Sequence, residues 1–184
     1  GALACIKHFP GHGRTTRDSH DEVPTVDADL ATLEATDLVP FRIGIAAGVA
    51  TVMTGHLRVP ALDPSGTPAT FSAPILRYLR STLGFRGLIV TDALMMGAAV
   101  KDAATNPSVR ALAAGCDMLC YPADPVAAHE AVLEALKTGI LWRNRIEEAL
   151  ARYEAALARA GVPPLHMVER GTGGEERRAR ELAN

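Results

Sequence analysis

Three short apolar runs in this sequence end in side chains that suit acid–base or nucleophilic chemistry. The first run ends in Lys7 and His8, the second in His56 and the third in Asp92. A carboxylate can act as a nucleophile, and an imidazole titrates near neutral pH. Structural explanations compete with these roles. Asp92 could instead cap the N-terminus of a helix. His56 could be a loop histidine bonded to the backbone, and Lys7 could form a salt bridge at the end of its strand.

A polar loop follows the first of these runs. Residues 10–24 read PGHGRTTRDSHDEVP, which is too polar and glycine-rich to pack as a core segment. Loops of this length in a compact domain tend to be functional. Asp18 and His20 lie two residues apart, so in an extended segment they share a face and the carboxylate can orient the imidazole as a proton shuttle. The alternative is an Asx-type turn beside a surface histidine.

The same region could also form a metal site from His8, His12, Asp18 and His20, because histidine is the commonest zinc ligand. A proline and a glycine separate His8 from His12, so the helical spacing of a zinc HExxH motif is unavailable, and its glutamate is missing. The sequence GHG also lacks the Gly-Lys-Ser/Thr of a phosphate-binding loop. We therefore predict neither a metal nor another cofactor.

The elements that must position these groups alternate between strands and helices. Strands are predicted at 3–7, 49–53, 87–91 and 117–121. Helices are predicted at 30–47 in two pieces, from Ser72 to Gly84, at 109–114, from Asp124 to Gly139, and up to Gly161. Asp37 is expected to cap the second piece of the first helix, with Pro40 in its first turn. The last helix should bury the face formed by Ile146, Leu150, Tyr153 and Leu157.

This order of elements predicts an α/β protein with a parallel sheet. The strands are continuous apolar runs, which is typical of strands covered on both faces. Four βα units make half of a TIM (β/α)8 barrel or, alternatively, a small doubly wound sheet. In both architectures active sites lie at the carboxyl ends of the strands, where the polar groups fall.

Composition argues against several classes of protein. A net charge of −2 gives no reason to expect nucleic acid or an anionic membrane as partner. No apolar run approaches the ~20 residues of a membrane span. The three cysteines, Cys5, Cys116 and Cys120, form no CxxC pair, so neither a disulfide framework nor a zinc ribbon is expected. The chain begins with Gly1 rather than Met, so we expect further sequence before it, and the compartment, cytoplasmic or secreted, stays open.

Several segments, taken in order, resemble the motifs of family 3 β-N-acetylhexosaminidases. They are 7–13 (KHFPGHG) followed by 18–20 (DSH), 53–56 (MTGH), 83–94 (LGFRGLIVTDAL) and 114–119 (AGCDML). The resemblance covers residues 1–161 and implies the C-terminal half of a catalytic TIM (β/α)8 barrel. Residues 162–184 are then a polar tail or linker.

The resemblance implies a retaining glycoside hydrolase that removes terminal β-linked N-acetylglucosamine from oligosaccharides or peptidoglycan fragments. Asp92 stands at the position of the nucleophile, which forms a covalent glycosyl-aspartate. His20, held by Asp18, takes the part of the acid and base. Lys7 and His8 match contacts to sugar hydroxyls, and His56, at the end of the following strand, is also assigned to the substrate.

The expected partners are a small saccharide substrate and the missing N-terminal half of the barrel. Half a barrel leaves two open sheet edges and a bare interior, so we expect this stretch alone to be inactive and to aggregate. Two further readings remain. One is a β-N-acetylglucosaminide phosphorylase, in which phosphate replaces water in the second step. The other is a non-catalytic half-barrel that assembles with a companion chain.

Overall fold

Four parallel strands form one sheet in a computed structural model that describes residues 1–15, 23–96 and 105–162. The strands are β1 (Cys5–Phe9), β2 (Thr51–Thr54), β3 (Leu88–Ala93) and β4 (Met118–Cys120). Their order in space is their order in the chain, and each neighbouring pair is parallel. The predicted α/β class and the four strands are therefore confirmed.

Three strands end later than predicted, β2 by one residue and β1 and β3 by two, and this moves polar groups into the sheet. The first strand was predicted to end at Lys7 and ends at Phe9; the third was predicted to end before Asp92 and ends at Ala93. Both strands contain a register irregularity at this end, between Ile6 and Phe9 in β1 and between Val90 and Ala93 in β3. The peptide bonds Lys7–His8 and Phe9–Pro10 are cis. The strands were predicted from continuous apolar runs, so each predicted strand stops where polar side chains begin, although the backbone continues in the strand.

Along the chain, the helices follow the strands in the predicted order. They are α1 (Leu30–Thr32) continued by a π-helical turn (Leu33–Asp37), α2 (Val39–Ala46), a 3₁₀ turn (Ala69–Phe71), α3 (Ala73–Arg77) continued by a π-helical turn (Tyr78–Thr82), α4 (Pro107–Ala114), α5 (Pro125–Lys137) and α6 (Arg143–Ala160). None of the helices in the described part of the chain has the length and apolar character that crossing a bilayer requires.

Two of the predicted helix caps are confirmed and one is wrong. The Ser72 hydroxyl accepts from the Ile75 amide at 3.2 Å, and the Asp124 carboxylate caps α5, as predicted. The predicted Asp37 cap is wrong: α2 has Leu38 at its N-cap position, with no side-chain bond. The Asp37 carboxylate instead accepts from Arg14 Nε at 2.6 Å. A long-range charged donor outcompetes the local amides for this carboxylate.

The helices bury one face of the sheet well and leave the other more open. Val52 and Ile89 are fully buried against side chains from the first two βα connections, including Leu33, Leu38, Leu57, Ile75 and Leu79. On the opposite face Met53 pairs with Val90, and Val90 with Met118, which is 42% exposed. Among the described residues, only the face of the sheet that packs against the helices is covered, whereas both faces were expected to be covered.

The last helix partly buries three residues of the predicted face, Ile146, Tyr153 and Leu157, but not Leu150. Leu150 is 53% exposed, whereas Ala149 and Ala156 are buried. Ile146 packs against the apolar cluster of Val109, Leu112, Ala135 and Leu141. Small alanines at the contact let the helix lie close to the sheet, so the larger Leu150 points to solvent. The periodicity predicted the helix and most of its packed face correctly, but not the exposure of Leu150.

Candidate active site

The carboxyl ends of β1 and β3 bring His8 and Asp92 together across β2. His8 Nε2 lies 3.8 Å from Asp92 Oδ2. The two side chains are 27% and 16% exposed, so both are partly shielded yet still open to a ligand. Residues 84 positions apart in the chain meet because parallel strands start and end at the same edges of a sheet. The structure thus joins two of the residues proposed from the sequence.

The Asp92 carboxylate is oriented by its own backbone. Oδ1 accepts from the Ala93 amide at 2.8 Å, while Oδ2 faces His8. This leaves Oδ2 without a hydrogen bond from any described residue and directed to the side where β1 ends. Asp92 is not the N-cap of a described helix, so the competing structural explanation finds no support in the described residues. A carboxylate held by one oxygen and free at the other suits nucleophilic attack.

Burial keeps the His8 imidazole in its neutral form. Burial lowers the pKa of His8 below its usual value, the Asp92 carboxylate opposes this, and the neighbouring Lys7 and His12 act with burial. A neutral imidazole retains one N–H donor and one acceptor nitrogen. His8 can therefore exchange hydrogen bonds with a ligand hydroxyl without placing a positive charge of its own beside Asp92.

His56 lies behind the site rather than on its open side. Its ring is completely buried, and its Nε2 lies 3.1 Å from the carbonyl oxygen of Ala93. Its Nδ1 lies 3.0 Å from the Thr70 hydroxyl, and the ring stacks on Phe71. Burial lowers the pKa of His56, while the bond to Ala93 and the charge of Asp92 raise it. The predicted substrate contact of His56 is not tested directly, but its two nitrogens are already engaged.

Lys7 is exposed, and its charge acts on the neighbouring His8. Lys7 lines a cleft of about 540 Å³ beside β1, together with the start of the following loop and the first two helices. His8, His56 and Asp92 do not line this cleft. The Lys7 ammonium makes no hydrogen bond to any residue that the structure describes. Lys7 is free to reach a ligand, and its predicted role in substrate binding stays a prediction.

The proposed acid/base pair, Asp18 and His20, lies outside the described residues, which stop at residue 15 and resume at 23. Both flanks of this stretch are fixed. On the amino side Arg14 donates to Asp37 and to the Thr36 hydroxyl, each at 2.6 Å. Burial of Asp37 opposes ionisation, but the bonds from Arg14 and Thr36 outweigh it and lower the pKa of Asp37.

On the carboxyl side of the same stretch, the backbone pairs with the segment that follows β2. The Val26 amide donates to the Arg58 carbonyl at 2.8 Å, and the Arg58 amide donates to the Pro24 carbonyl at 2.9 Å. Arg14 and the residues from Pro24 to Val26 are thus both bonded to other parts of the described chain. The Arg14–Asp37 bond was not predicted from the sequence, because neither residue type nor spacing identifies an ion pair between a loop and a helix.

Among the residues that the structure describes, no group of three or more His, Cys, Asp and Glu side chains could hold a metal ion. The imidazoles of His8 and His12 are 6.3 Å apart between centroids, and His12 Nδ1 lies 2.6 Å from the Thr15 hydroxyl. His12 is therefore used to fix the start of the loop. The contact between the Thr70 hydroxyl and His56 was not predicted from the sequence, because a single threonine belongs to no recognisable motif.

Comparison with known proteins gives consistent matches. Residues 1–155 match the family described as the glycosyl hydrolase family 3 N terminal domain. A β-hexosaminidase of Chromobacterium violaceum is 44% identical over 138 residues, which are 74% of this chain and 38% of that relative. A solved family 3 β-N-acetylglucosaminidase from Paenibacillus sp. str. FPU-7 superposes with a TM-score of 0.83 at 38% identity, covering 86% of this chain and 31% of that one.

A further solved structure, the β-glucoside phosphorylase BglX bound to 2FGlc, superposes with a TM-score of 0.81 at 30% identity. The match covers 100% of this chain and 36% of the phosphorylase chain. The chain thus spans well under half the length of the proteins it matches. The match over residues 1–155 takes in both strand ends that meet at His8 and Asp92. On this match and these identities, the chain belongs to glycosyl hydrolase family 3.

Proposed function

We propose that this chain carries the catalytic groups of a retaining glycoside hydrolase that removes terminal β-linked N-acetylglucosamine from oligosaccharides or peptidoglycan fragments. The observation that carries the proposal is the approach of His8 to Asp92 at the carboxyl edge of the sheet. The names of the Chromobacterium and Paenibacillus relatives, a β-hexosaminidase and a β-N-acetylglucosaminidase, support the sugar assigned.

In the first step, Asp92 Oδ2 attacks the anomeric carbon of the terminal sugar. The bond between that carbon and the leaving oxygen breaks, and a proton from His20 neutralises the leaving group. In the second step, His20 takes a proton from water, which displaces the Asp92 carboxylate and restores the anomeric configuration. Asp18 orients the imidazole throughout. The position of this pair in the chain supports the assignment, because it follows β1, the strand that carries His8.

The geometry also supports His8 as a sugar contact. A neutral, partly exposed imidazole beside the nucleophile can donate to or accept from a hydroxyl of the ring being attacked. Lys7, exposed one residue earlier, can reach a second hydroxyl from the neighbouring cleft. His56, assigned to the substrate from the sequence, is better placed to act through the protein, because its ring is buried and bonded at both nitrogens.

We extend the proposal to the architecture. The N-terminal domain of family 3 has a TIM-barrel-like α/β fold, and this chain supplies four parallel strands of it. Both outer strands, β1 and β4, have unpaired edges among the described residues, and Met118 and Tyr121 are exposed at the β4 side. Residues 1–161 then form the C-terminal half of the barrel, and 162–184 a polar tail. A preceding half closes the barrel, and without it the chain is inactive.

A fusion protein tests the proposal. The chain is joined behind the N-terminal strands of the Chromobacterium relative, and release of nitrophenol from 4-nitrophenyl N-acetyl-β-glucosaminide is compared for the fusion and the chain alone. We expect activity only in the fusion. Asp92→Asn should lower kcat by at least about 10³-fold, as expected for loss of a nucleophile. Asp27→Asn, at an exposed aspartate, is the matched control.

Trapping the intermediate identifies the nucleophile directly. The active fusion is incubated with a 5-fluoro analogue of the N-acetylglucosaminide, digested and analysed by mass spectrometry. The label is expected on the peptide that contains Asp92. Label on another carboxylate, or full activity in Asp92→Asn, contradicts the mechanism, and activity of the isolated chain contradicts the need for a second half.

A second candidate is a β-N-acetylglucosaminide phosphorylase, in which phosphate replaces water as the acceptor in the second step. The likeness to the β-glucoside phosphorylase BglX, which extends over the whole chain, is the observation in its favour. Product analysis with and without phosphate separates the two functions. Free N-acetylglucosamine in both conditions supports hydrolysis, whereas N-acetylglucosamine 1-phosphate that appears only with phosphate supports the phosphorylase.

A further inference from the structure

The His56 imidazole is a buried polar ring directly behind the proposed nucleophile. It is 0% exposed and stacks on Phe71, with ring centroids 5.8 Å apart and planes inclined by 14°. Burying a neutral imidazole costs free energy unless both nitrogens find partners. An apolar side chain could fill this space just after β2 without that cost. The two ring nitrogens of His56 must therefore contribute something that packing alone does not.

The hydrogen bonds of the ring fix its tautomer. Nε2 lies 3.1 Å from the Ala93 carbonyl oxygen, and since a carbonyl only accepts, the proton lies on Nε2. Nδ1 is then an acceptor. The Thr70 hydroxyl lies 3.0 Å from Nδ1 and 3.2 Å from the Gly55 carbonyl oxygen, so its one proton is directed at these two acceptors. The Thr54 hydroxyl lies 2.9 Å from Thr70 and donates in turn. Three side chains thus form one directed chain of hydrogen bonds that ends on the Ala93 carbonyl.

Ala93 is the residue through which this chain reaches the nucleophile. Its amide donates to Asp92 Oδ1 at 2.8 Å, and its carbonyl accepts from His56 Nε2 at 3.1 Å and from the Met96 amide at 3.2 Å. The peptide units on the two sides of Ala93 are thereby fixed, one by the histidine and the Met96 amide and the other by the carboxylate. Asp92 Oδ2 remains directed toward His8. A shift of the Ala93 backbone would change the direction of the Asp92 carboxylate.

We propose that His56 is a positioning residue, set in one tautomer by the Ala93 carbonyl and supported at Nδ1 by Thr70, that holds the Ala93 backbone and thereby the Asp92 carboxylate in the geometry of attack. The inference rests on the proposed function, because it assigns Asp92 to the reaction. It differs from a sugar contact, which would need a ring nitrogen free and exposed. It also differs from a core role, which any apolar ring or chain of similar volume would fill.

The test compares variants of similar size in the active fusion. His56→Gln can place an N–H donor near the Nε2 position, whereas His56→Met fills the space without a donor. A displacement of reacting groups by about 1 Å costs about 100-fold in rate, so we expect His56→Met to lower kcat by about that factor with little change in KM. His56→Gln should recover a large part of the loss.

Thr70 provides a second and milder pair. Thr70→Val keeps the shape and removes the hydroxyl at Nδ1, so we expect a smaller fall in kcat together with a shift of the His56 Nδ1 signal in nitrogen NMR spectra, while the proton stays on Nε2. Thr67→Val is the matched control, because the Thr67 hydroxyl contacts only Ser65 among described residues and should leave kcat unchanged. If His56→Met does not fold, the comparison of Thr70→Val with Thr67→Val still tests the proposal.

The outcomes separate this inference from the proposed function. If kcat is equal in His56→Met and His56→Gln, or if KM rises while kcat is unchanged, His56 does not position the nucleophile. If the fusion has no glycosidase activity, the carboxyl carbon of Asp92 is followed by NMR. His56→Met should then shift the Asp92 signal while Thr67→Val does not, and an unmoved signal in His56→Met overturns the proposal.

Discussion

Replacing Asp117 by asparagine tests whether a buried cluster of charges holds the start of β3, the strand that carries Asp92. The Asp117 side chain is 0% exposed. Its Oδ2 accepts from Arg80 and from the Ile89 amide at 2.9 Å, and its Oδ1 accepts from Arg145 at 2.6 Å and from Arg152 at 3.0 Å. One carboxylate thus joins the start of β3 to the end of α3 and to α6.

The magnitude follows from this geometry. Asparagine turns one of the two oxygens into an NH₂ donor, and whichever oxygen is replaced, two donors then lose their acceptor. Hydrogen bonds to charged groups contribute about 1.5–3 kcal/mol each, so the loss of two gives about 3–6 kcal/mol. Removing one partner of a buried ion pair costs about 3–5 kcal/mol, which agrees. We expect Asp117→Asn to lower the free energy of unfolding by about 3–5 kcal/mol.

Urea unfolding of the fusion, followed by circular dichroism, measures this loss. Glu147→Gln is the control, because Glu147 pairs with Arg143 on the surface of α6, where the side chains are 61% and 90% exposed. Such exposed pairs contribute about 0.3–0.5 kcal/mol. If Asp117→Asn costs less than about 1 kcal/mol, no more than an exposed pair, the cluster does not hold β3 and the reasoning is refuted.

Three further predictions follow from single sites. Asp124→Ala removes the cap of α5 and should cost about 1 kcal/mol in urea unfolding. Gly87→Ala places a Cβ 2.3 Å from the Ala50 carbonyl and should cost about 1–3 kcal/mol, whereas Gly13→Ala, with nothing within 4 Å, should not. Since burial lowers the pKa of His56 below its usual 6.5, its stabilising effect is complete above pH 6.5 and is lost as the pH falls below it; His56→Gln should weaken this dependence in unfolding measured against pH.

Local signals in the sequence determined the elements and their order. Ser72 and Asp124 mark helix starts because their oxygens satisfy amides within three residues, and Gly161 ends α6 in a left-handed conformation. Apolar continuity located all four strands, although it ended β1 and β3 before the polar residues that they contain. Such features were predictable because the interacting groups are close in the chain.

Tertiary structure alone decided how the site is built. The sequence identified His8, His56 and Asp92 as strand-end groups, but only the sheet placed His8 3.8 Å from Asp92 and His56 behind Ala93. The Thr70 hydroxyl, the Arg14–Asp37 bond and the charges around Asp117 also join distant parts of the chain. Local propensity carries no information on such contacts, because their partners are chosen by the packing of helices on the sheet. The sequence therefore determined which chemical groups are present, and the fold determined which of them act together.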